Sequence, residues 1–382
     1  MKILFVCENY YPHYGGAEVL FKNLAEDFVR AGHRVAIITT LLPGTRKFEE
    51  INGVKVHRVS CFDNRYLFSF FSIPKVWRLA KMADVIQTTT FNGAPPAWLG
   101  ARLTKKPIIL TVHEVWVGKW KEVTDFSKTK AILHDFLERM LYVLKFDEYV
   151  CVSNATRKDL LGLGINQQKT VTIYNGFDYK FWNHKKFSKM EAQKLRKKCG
   201  IEDKFVCLSW GRPGESKGFQ YLINAAPKIH KTIPHAVILL MLGSPDKYPK
   251  NYRRLTRLAG KYPEIVKIVP SLPSQQLGTM IKAADCVIVP SLSEGFGYNV
   301  LEASSMGIPL VISNAGSLPE IVSGKHQIFQ SKNILDLAEK VQMVAKGITL
   351  HKKQRKYLWT ETISGYLDIY TKVSGKNQIK EQ

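Results

Sequence analysis

Acidic residues are scarce in this chain. Its 382 residues hold 32 Asp and Glu against 56 Lys and Arg, a formal net charge of +24. A surplus of that size points to an anionic partner: nucleic acid, an anionic membrane or phosphorylated ligands. Cysteine is also sparse, with six in all, at 7, 61, 151, 199, 207 and 286. None forms a C-x-x-C pair and no histidine cluster stands beside them, which excludes the usual zinc-site spacings. Several fall in or beside apolar runs, so they read as reduced core thiols of a cytosolic protein rather than a disulfide framework. No stretch approaches the roughly 20 apolar residues that a membrane-spanning helix needs. The opening MKILFVCENYYP is too short an apolar run for a signal segment and reads as a first strand. Internal repeats and low-complexity segments are absent.

What remains is ordinary for a globular protein: 45% hydrophobic and 23% charged residues. The length exceeds what one core usually serves, so two domains are expected. Short Val/Ile/Leu runs alternate with helical patterns: ILFVC (3–7), RVAIITT (34–40), DVIQTT (84–89), PIILTVH (107–113) and EYVCVS (148–153). A second series follows: FVCLSWG (205–211), AVILLMLG (236–243), IVKIVP (265–270), DCVIVPS (285–291) and PLVISN (309–314). Continuous apolar runs with crossover helices are the mark of buried parallel strands. The expected fold is α/β: two Rossmann-like, doubly wound parallel-sheet domains, 1–176 and 177–357, facing a cleft. The tail 358–373 has helical apolar spacing and closes the chain.

Four loops at predicted strand ends carry the unusual residues. Gly15 and Gly16 precede a helix, whose first N–H groups can hold a phosphate; read alone, the pair is equally a simple turn. His113 ends a strand, where a site role and a backbone-bonded histidine are both open. Arg212 and Lys217 lie five apart in WGRPGESKGFQYLINA, a loop that feeds a helix and suits a diphosphate clamp; a solvated surface pair is the alternative. In PSLSEGFGYNVLEASSMG, Glu294 sits on a loop and Glu302 in a short helix. Ionised carboxylates suit vicinal hydroxyls, although Glu294 taken alone is also a helix-capping acid. The chain has no D-x-D, no Walker loop and no G-x-G-x-x-G after a strand, so a metal-bridging acid pair and a dinucleotide dehydrogenase lack support.

In their order along the chain these elements resemble the retaining glycosyltransferases of family 4, with the GT-B fold. The resemblance runs through YYPHYGGAE, GHRV, SNATRKDL, YNGFD, the Arg212–Lys217 loop, AADCVIVPS, E-x7-E at Glu294 and Glu302, and GSLPE (316–320). It implies that Glu294, with the backbone of Gly295, Phe296 and Gly297, binds the donor sugar's hydroxyls, beside Tyr298 and Asn299. It implies that Glu302 binds the ribose, and that Arg212 and Lys217 hold the diphosphate with Gly211 and Gly16. His113 would lie near the transferred sugar, and Gly243 and Ser271 near the base. The donor would be a nucleoside-diphosphate sugar carrying UDP or GDP, with no metal or other cofactor. The tail helix would pack back on the first domain. The sequence departs from the family at Gly316-Ser317, where Gly-Gly is usual, at SGKHQIFQS (323–331), where Gly-Leu-Val is usual, and at Tyr298 and Asn299, which are not the commonest residues beside the second Glu.

The charge excess has one further reading. NRYLFSFFSIPKVWRLAK (64–81) mixes aromatic and basic residues and suits an anionic membrane surface, with a sugar or lipid-linked acceptor held by the first domain. A basic surface over an apolar core is the alternative. The protein would then be cytoplasmic, peripheral at the inner face of the membrane. Two other functions are compatible with parts of the pattern. A GT-B nucleotide-sugar epimerase would share the nucleotide site, but E-x7-E argues against it. A non-enzymatic polyanion or nucleic-acid binder would explain the charge, but no RNP, zinc-finger or helix-turn-helix pattern is present, so a nucleic-acid partner is not expected.

Overall fold

Most of the Val/Ile/Leu runs become strands buried on both faces, as their composition requires, while IVKIVP becomes a half-exposed edge strand. The computed structural model describes residues 1–13, 15–62, 64–243 and 246–375. The chain divides into two units: Met1–Val117, Asp135–Gly176 and Tyr357 onward form the first, and Gly118–His134 with Phe177–Lys356 the second.

The first unit's sheet has eight strands: β1 (Lys2–Val6), β2 (Arg34–Thr40), β3 (Phe48–Ile51), β4 (Val54–Val59), β5 (Val85–Thr89), β6 (Ile108–Val112), β7 (Glu148–Cys151) and β8 (Thr170–Thr172), in spatial order β3-β4-β2-β1-β5-β6-β7-β8. All neighbours are parallel except β3 and β4. Leu4, Val6, Ile38, Ile86, Leu110 and Val112 form part of its core. The helix Trp359–Ser374 belongs to this unit: Tyr366 and Tyr370 are buried, and Tyr370 meets Phe28 edge-on at 5.4 Å between ring centroids.

The second unit's sheet has seven strands: β9 (Phe205–Gly211), β10 (Ala236–Leu242), β11 (Val266–Pro270), β12 (Cys286–Val289), β13 (Leu310–Ser313), β14 (Gly324–Phe329) and β15 (Leu350–Lys352), in the order β11-β10-β9-β12-β13-β14-β15. Only β15 runs antiparallel to its neighbour. One face is covered by the helices Phe219–Thr232 and Ile334–Ala345, whose Leu222, Ile223, Ile229, Leu337 and Val341 meet the buried strands.

The structure adds to the sequence expectations and departs from them in places. The β3–β4 hairpin falls outside the expected strands because β4 is buried on one face only, so it shows no continuous apolar run. Its turn is Asn52-Gly53, both at positive φ (50° and 79°), the residue pair that a two-residue hairpin favours. SGKHQIFQS supplies β14, which pairs with β13 and extends the sheet. Residues 118–134, expected with the first half, belong to the second unit, where Trp120 and Val123 are buried and Glu122 pairs with Lys332 at 2.6 Å. Of the six thiols, Cys199 is exposed rather than in a core, because it caps a helix, Lys189–Lys198, whose residues are mostly polar and solvated.

Candidate functional site

In an open parallel sheet, ligands bind beyond the carboxyl ends of the strands where the strand order reverses. In the second sheet that point lies between β9 and β12, since β10 flanks β9 on its other side. The loops after β9 and β12 carry the residues singled out above, and they are tied together. Gly218 sits at φ +65° at the head of the helix Phe219–Thr232, and a Cβ there would overlap the carbonyl oxygen of Pro290. Leu292 N donates to Ser216 O at 2.7 Å across the same seam.

This stitching brings Lys217 to Glu294: Nζ lies 2.7 Å from Oε2, with both side chains largely buried. Ser291 Oγ donates to the same carboxylate oxygen at 3.1 Å. The Glu294 backbone is fixed from a third loop. Ser317 donates to its carbonyl oxygen from both N and Oγ at 3.0 Å, and Gly316, at φ +52°, leaves room that a Cβ would fill. The departure from Gly-Gly thus adds a hydroxyl donor behind the first acid.

Glu302 lies in the helix Tyr298–Ser305 and accepts from Trp210 Nε1 at 3.1 Å. Desolvation pushes its carboxyl up to about 8, against the opposing pull of that hydrogen bond and of the Lys217 charge. Arg212 is exposed and, among the described residues, forms no ion pair. Gly211 ends β9 and its carbonyl accepts from Gly243 N at 3.0 Å, which sets Gly243 beside the same strand end with Ser271 near it. Gly295, Phe296 and Gly297 are buried; Phe296 meets the Tyr298 ring edge-on at 5.2 Å, and Asn299 Oδ1 accepts from Val300 N at 3.0 Å. The second unit therefore gathers Lys217, Glu294 and Glu302 around one seam and leaves Arg212 at its solvent edge. Trp210, Ser291 and Ser317 are additional participants. Only the departure at Ser317 had marked any of them in sequence.

In the first unit, Gly15 caps the helix Gly16–Arg30 in extended conformation without a side-chain cap. His113 follows β6. Among the described residues its buried Nε2 has no hydrogen-bond partner, and its ring meets Phe21 at 6.2 Å. Burial depresses its pKa to about 4, with the Glu18 charge opposing. The strand order of this sheet reverses between β1 and β5. There Glu8 Oε2 accepts from Asn92 Nδ2 at 2.7 Å and from Arg65 Nη2 at 2.9 Å. Sequence reasoning missed this group, because nothing local marks Glu8 as a partner of residues 57 and 84 positions away.

Among the described residues, no cluster of three His, Cys, Asp or Glu side chains could hold a metal ion, and no helix is long and apolar enough to cross a membrane.

The chain matches two family models in tandem, Glycosyltransferase Family 4 over residues 14–181 and Glycosyl transferases group 1 over residues 191–358. An uncharacterised glycosyltransferase of Methanocaldococcus jannaschii is 28% identical over 345 residues, covering 86% of this chain and 84% of that protein. The phosphatidylinositol N-acetylglucosaminyltransferase GPI3 subunit of Saccharomyces cerevisiae is 20% identical over 404 residues, covering 100% of this chain and 85% of that protein. Among solved structures, Anabaena HepE in complex with UDP and glucose has the same fold, with a TM-score of 0.71 at 20% identity over 97% of this chain and 100% of that one.

Proposed function

The chain belongs to the glycosyltransferases, family 4 in its first half and group 1 in its second, and on that premise we propose how its residues move a sugar from a nucleoside diphosphate to an acceptor hydroxyl. It is a transferase of the EC 2.4 class with the GT-B fold, and neither an epimerase nor a nucleic-acid binder is favoured. One observation carries the residue assignment: Lys217 and Glu294 meet at the strand-order reversal of the second sheet, with Glu302 half-buried beside the same strand ends.

In the proposed site Lys217 and Arg212 receive the diphosphate, with helix N–H groups behind them. Glu294 accepts the sugar's hydroxyls and Glu302 the ribose hydroxyls. As the bond from the anomeric carbon to the phosphate oxygen breaks, negative charge grows on the departing diphosphate, and the ammonium and guanidinium are already in place to meet it. One prepositioned donor of this kind is worth about 3 kcal/mol when lost. The acceptor oxygen bonds the anomeric carbon on the face the phosphate leaves, and its proton passes to the departing phosphate oxygen. The configuration is therefore retained. The absence of D-x-D in the sequence supports cationic side chains, rather than a bridged metal, in this role. His113, neutral at physiological pH, supplies a hydrogen bond near the transferred sugar.

For the donor we propose a UDP- or GDP-sugar, in line with the UDP complex of HepE. For the acceptor we propose a lipid-linked hydroxyl, in line with the phosphatidylinositol named for the yeast relative. The protein would work in the cytoplasm at the inner face of a membrane. Thermal-shift screening with UDP, GDP and ADP, then turnover of the matching sugar donors, tests the reading. Lys217→Ala and Arg212→Ala should each lower kcat by roughly 10²-fold. Unchanged rates in both would overturn the assignment.

A further inference from the structure

Between β4 and β5 the first unit turns large apolar side chains outward. The segment forms a short turn, Arg65–Leu67, and two helices, Phe68–Phe71 and Ile73–Ala80. Its inner face is anchored: Phe68, Val76 and Ala80 are buried in the core. Its outer face carries Phe70 (66% exposed), Phe71, Trp77 and, at its ends, Phe62 (78%) and Met82 (63%). An isolated exposed hydrophobe needs no explanation, but these five together with the exposed Tyr66, six within 21 residues, do.

The same segment is cationic beyond Asp63. From residue 64 to residue 82 there are four basic residues, Arg65, Lys75, Arg78 and Lys81, and no acid. Lys81 Nζ sits 3.5 Å over the Trp77 ring. Lys55 of β4 adds to the field: burial first, then Lys75, Lys55 and Arg78, hold His57 below the usual histidine range. Aromatic rings that sit at an apolar–aqueous boundary, with cations beside them, match the interface of an anionic bilayer. They do not match a second copy of this face, which would set Lys75, Arg78 and Lys81 against their own copies, Arg65 being paired with Glu8.

The segment's position also fits a membrane. Arg65 bonds Glu8 at 2.9 Å and Ser69 Oγ donates to Asn92 O at 3.0 Å, so the segment is tied to the ends of β1 and β5 where that sheet's order reverses. We propose that Phe62 and residues 64–82 form a docking face for an anionic lipid bilayer, which holds the ligand end of the first sheet at the membrane surface. The docking face stands on exposure and charge. Only its use, delivery of a lipid-borne acceptor, rests on the function proposed above.

Co-sedimentation of the full chain with vesicles of phosphatidylcholine containing phosphatidylglycerol tests it, against phosphatidylcholine alone and at low and high salt. Binding is expected only to the anionic vesicles and should fall with salt. Neutralising Lys75, Arg78 and Lys81 to Gln together should weaken it about a hundredfold, at roughly fivefold per cation. The double variant Phe70→Ser, Phe71→Ser should also lose binding while keeping the wild-type melting temperature and donor hydrolysis. Brominated lipid should quench tryptophan emission in the wild type and not in Trp77→Phe. Failure of the wild type to bind, or equal binding by these variants, overturns the proposal. A change in oligomeric state in the Phe70/Phe71 variant overturns it in favour of a protein interface. Donor hydrolysis by soluble enzyme is read separately, so the docking face and the catalytic reading fail independently.

Discussion

Glu302 gives the sharpest test of the ligand assignment, because its carboxyl is pushed up to about 8 by desolvation. At pH 7 such a group is about nine-tenths protonated. A ribose presents two hydroxyl donors, and the ionised carboxylate is the form that accepts both. Nucleotide binding must then ionise Glu302, at a cost of about 1.4 kcal/mol at pH 7 that vanishes by pH 9, since one pKa unit is worth that amount. Affinity should rise about tenfold between pH 7 and pH 9, and close to one proton should leave per nucleotide bound at pH 7. Calorimetric titration with UDP and GDP in buffers of different ionisation enthalpy measures both. The nucleotide's own terminal phosphate also ionises near pH 6, so the control is Glu302→Gln, which keeps the volume and the Trp210 partner but cannot titrate. Equal proton release and equal pH slopes in wild type and Glu302→Gln would refute the placement of ribose at Glu302. The sign for folding is opposite. A carboxyl raised in the folded state weakens folding as pH climbs from the unfolded value near 4.5 toward 8, so Glu302→Gln should stabilise the free protein above pH 8 and leave it unchanged below about pH 4.5.

Two further outcomes follow from the same geometry. His113, lowered to about 4 by burial, should contribute no inflection to kcat/KM near pH 6.5. Its stabilising neutrality should be lost as pH falls from 6.5 toward 4, so urea titrations of His113→Gln should show a shallower loss over that window. Gly218→Ala places a side chain at φ +65° and against Pro290 O. It should cost about 1–3 kcal/mol in urea unfolding and lower nucleotide affinity by shifting Lys217, whereas an unchanged melting curve would show that the seam yields.

How much of this is legible in sequence depends on the distance over which each residue acts. β2 and β9 coincide with RVAIITT and FVCLSWG because strands covered on both faces show themselves as unbroken apolar runs. β4 and β14 are half-solvated or polar, and local pattern hides them. The site behaves likewise. Glu294 and Glu302 announce themselves by their spacing, but Trp210 acts on an acid 92 residues away and Lys217 on one 77 residues away. Sequence reasoning assigned Lys217 to a phosphate and Glu294 to a sugar without foreseeing that each is the other's partner. That bond recurs in kind: Glu8 and Asn92, 84 residues apart, meet at the reversal of the first sheet as Lys217 and Glu294 do at the reversal of the second. In each sheet, flanking strands diverge to opposite sides, opening a gap at their carboxyl ends. A carboxylate from one loop and a donor from the other close it. The doubly wound topology therefore creates the position, and the two chemically matched residues, far apart in sequence, occupy it.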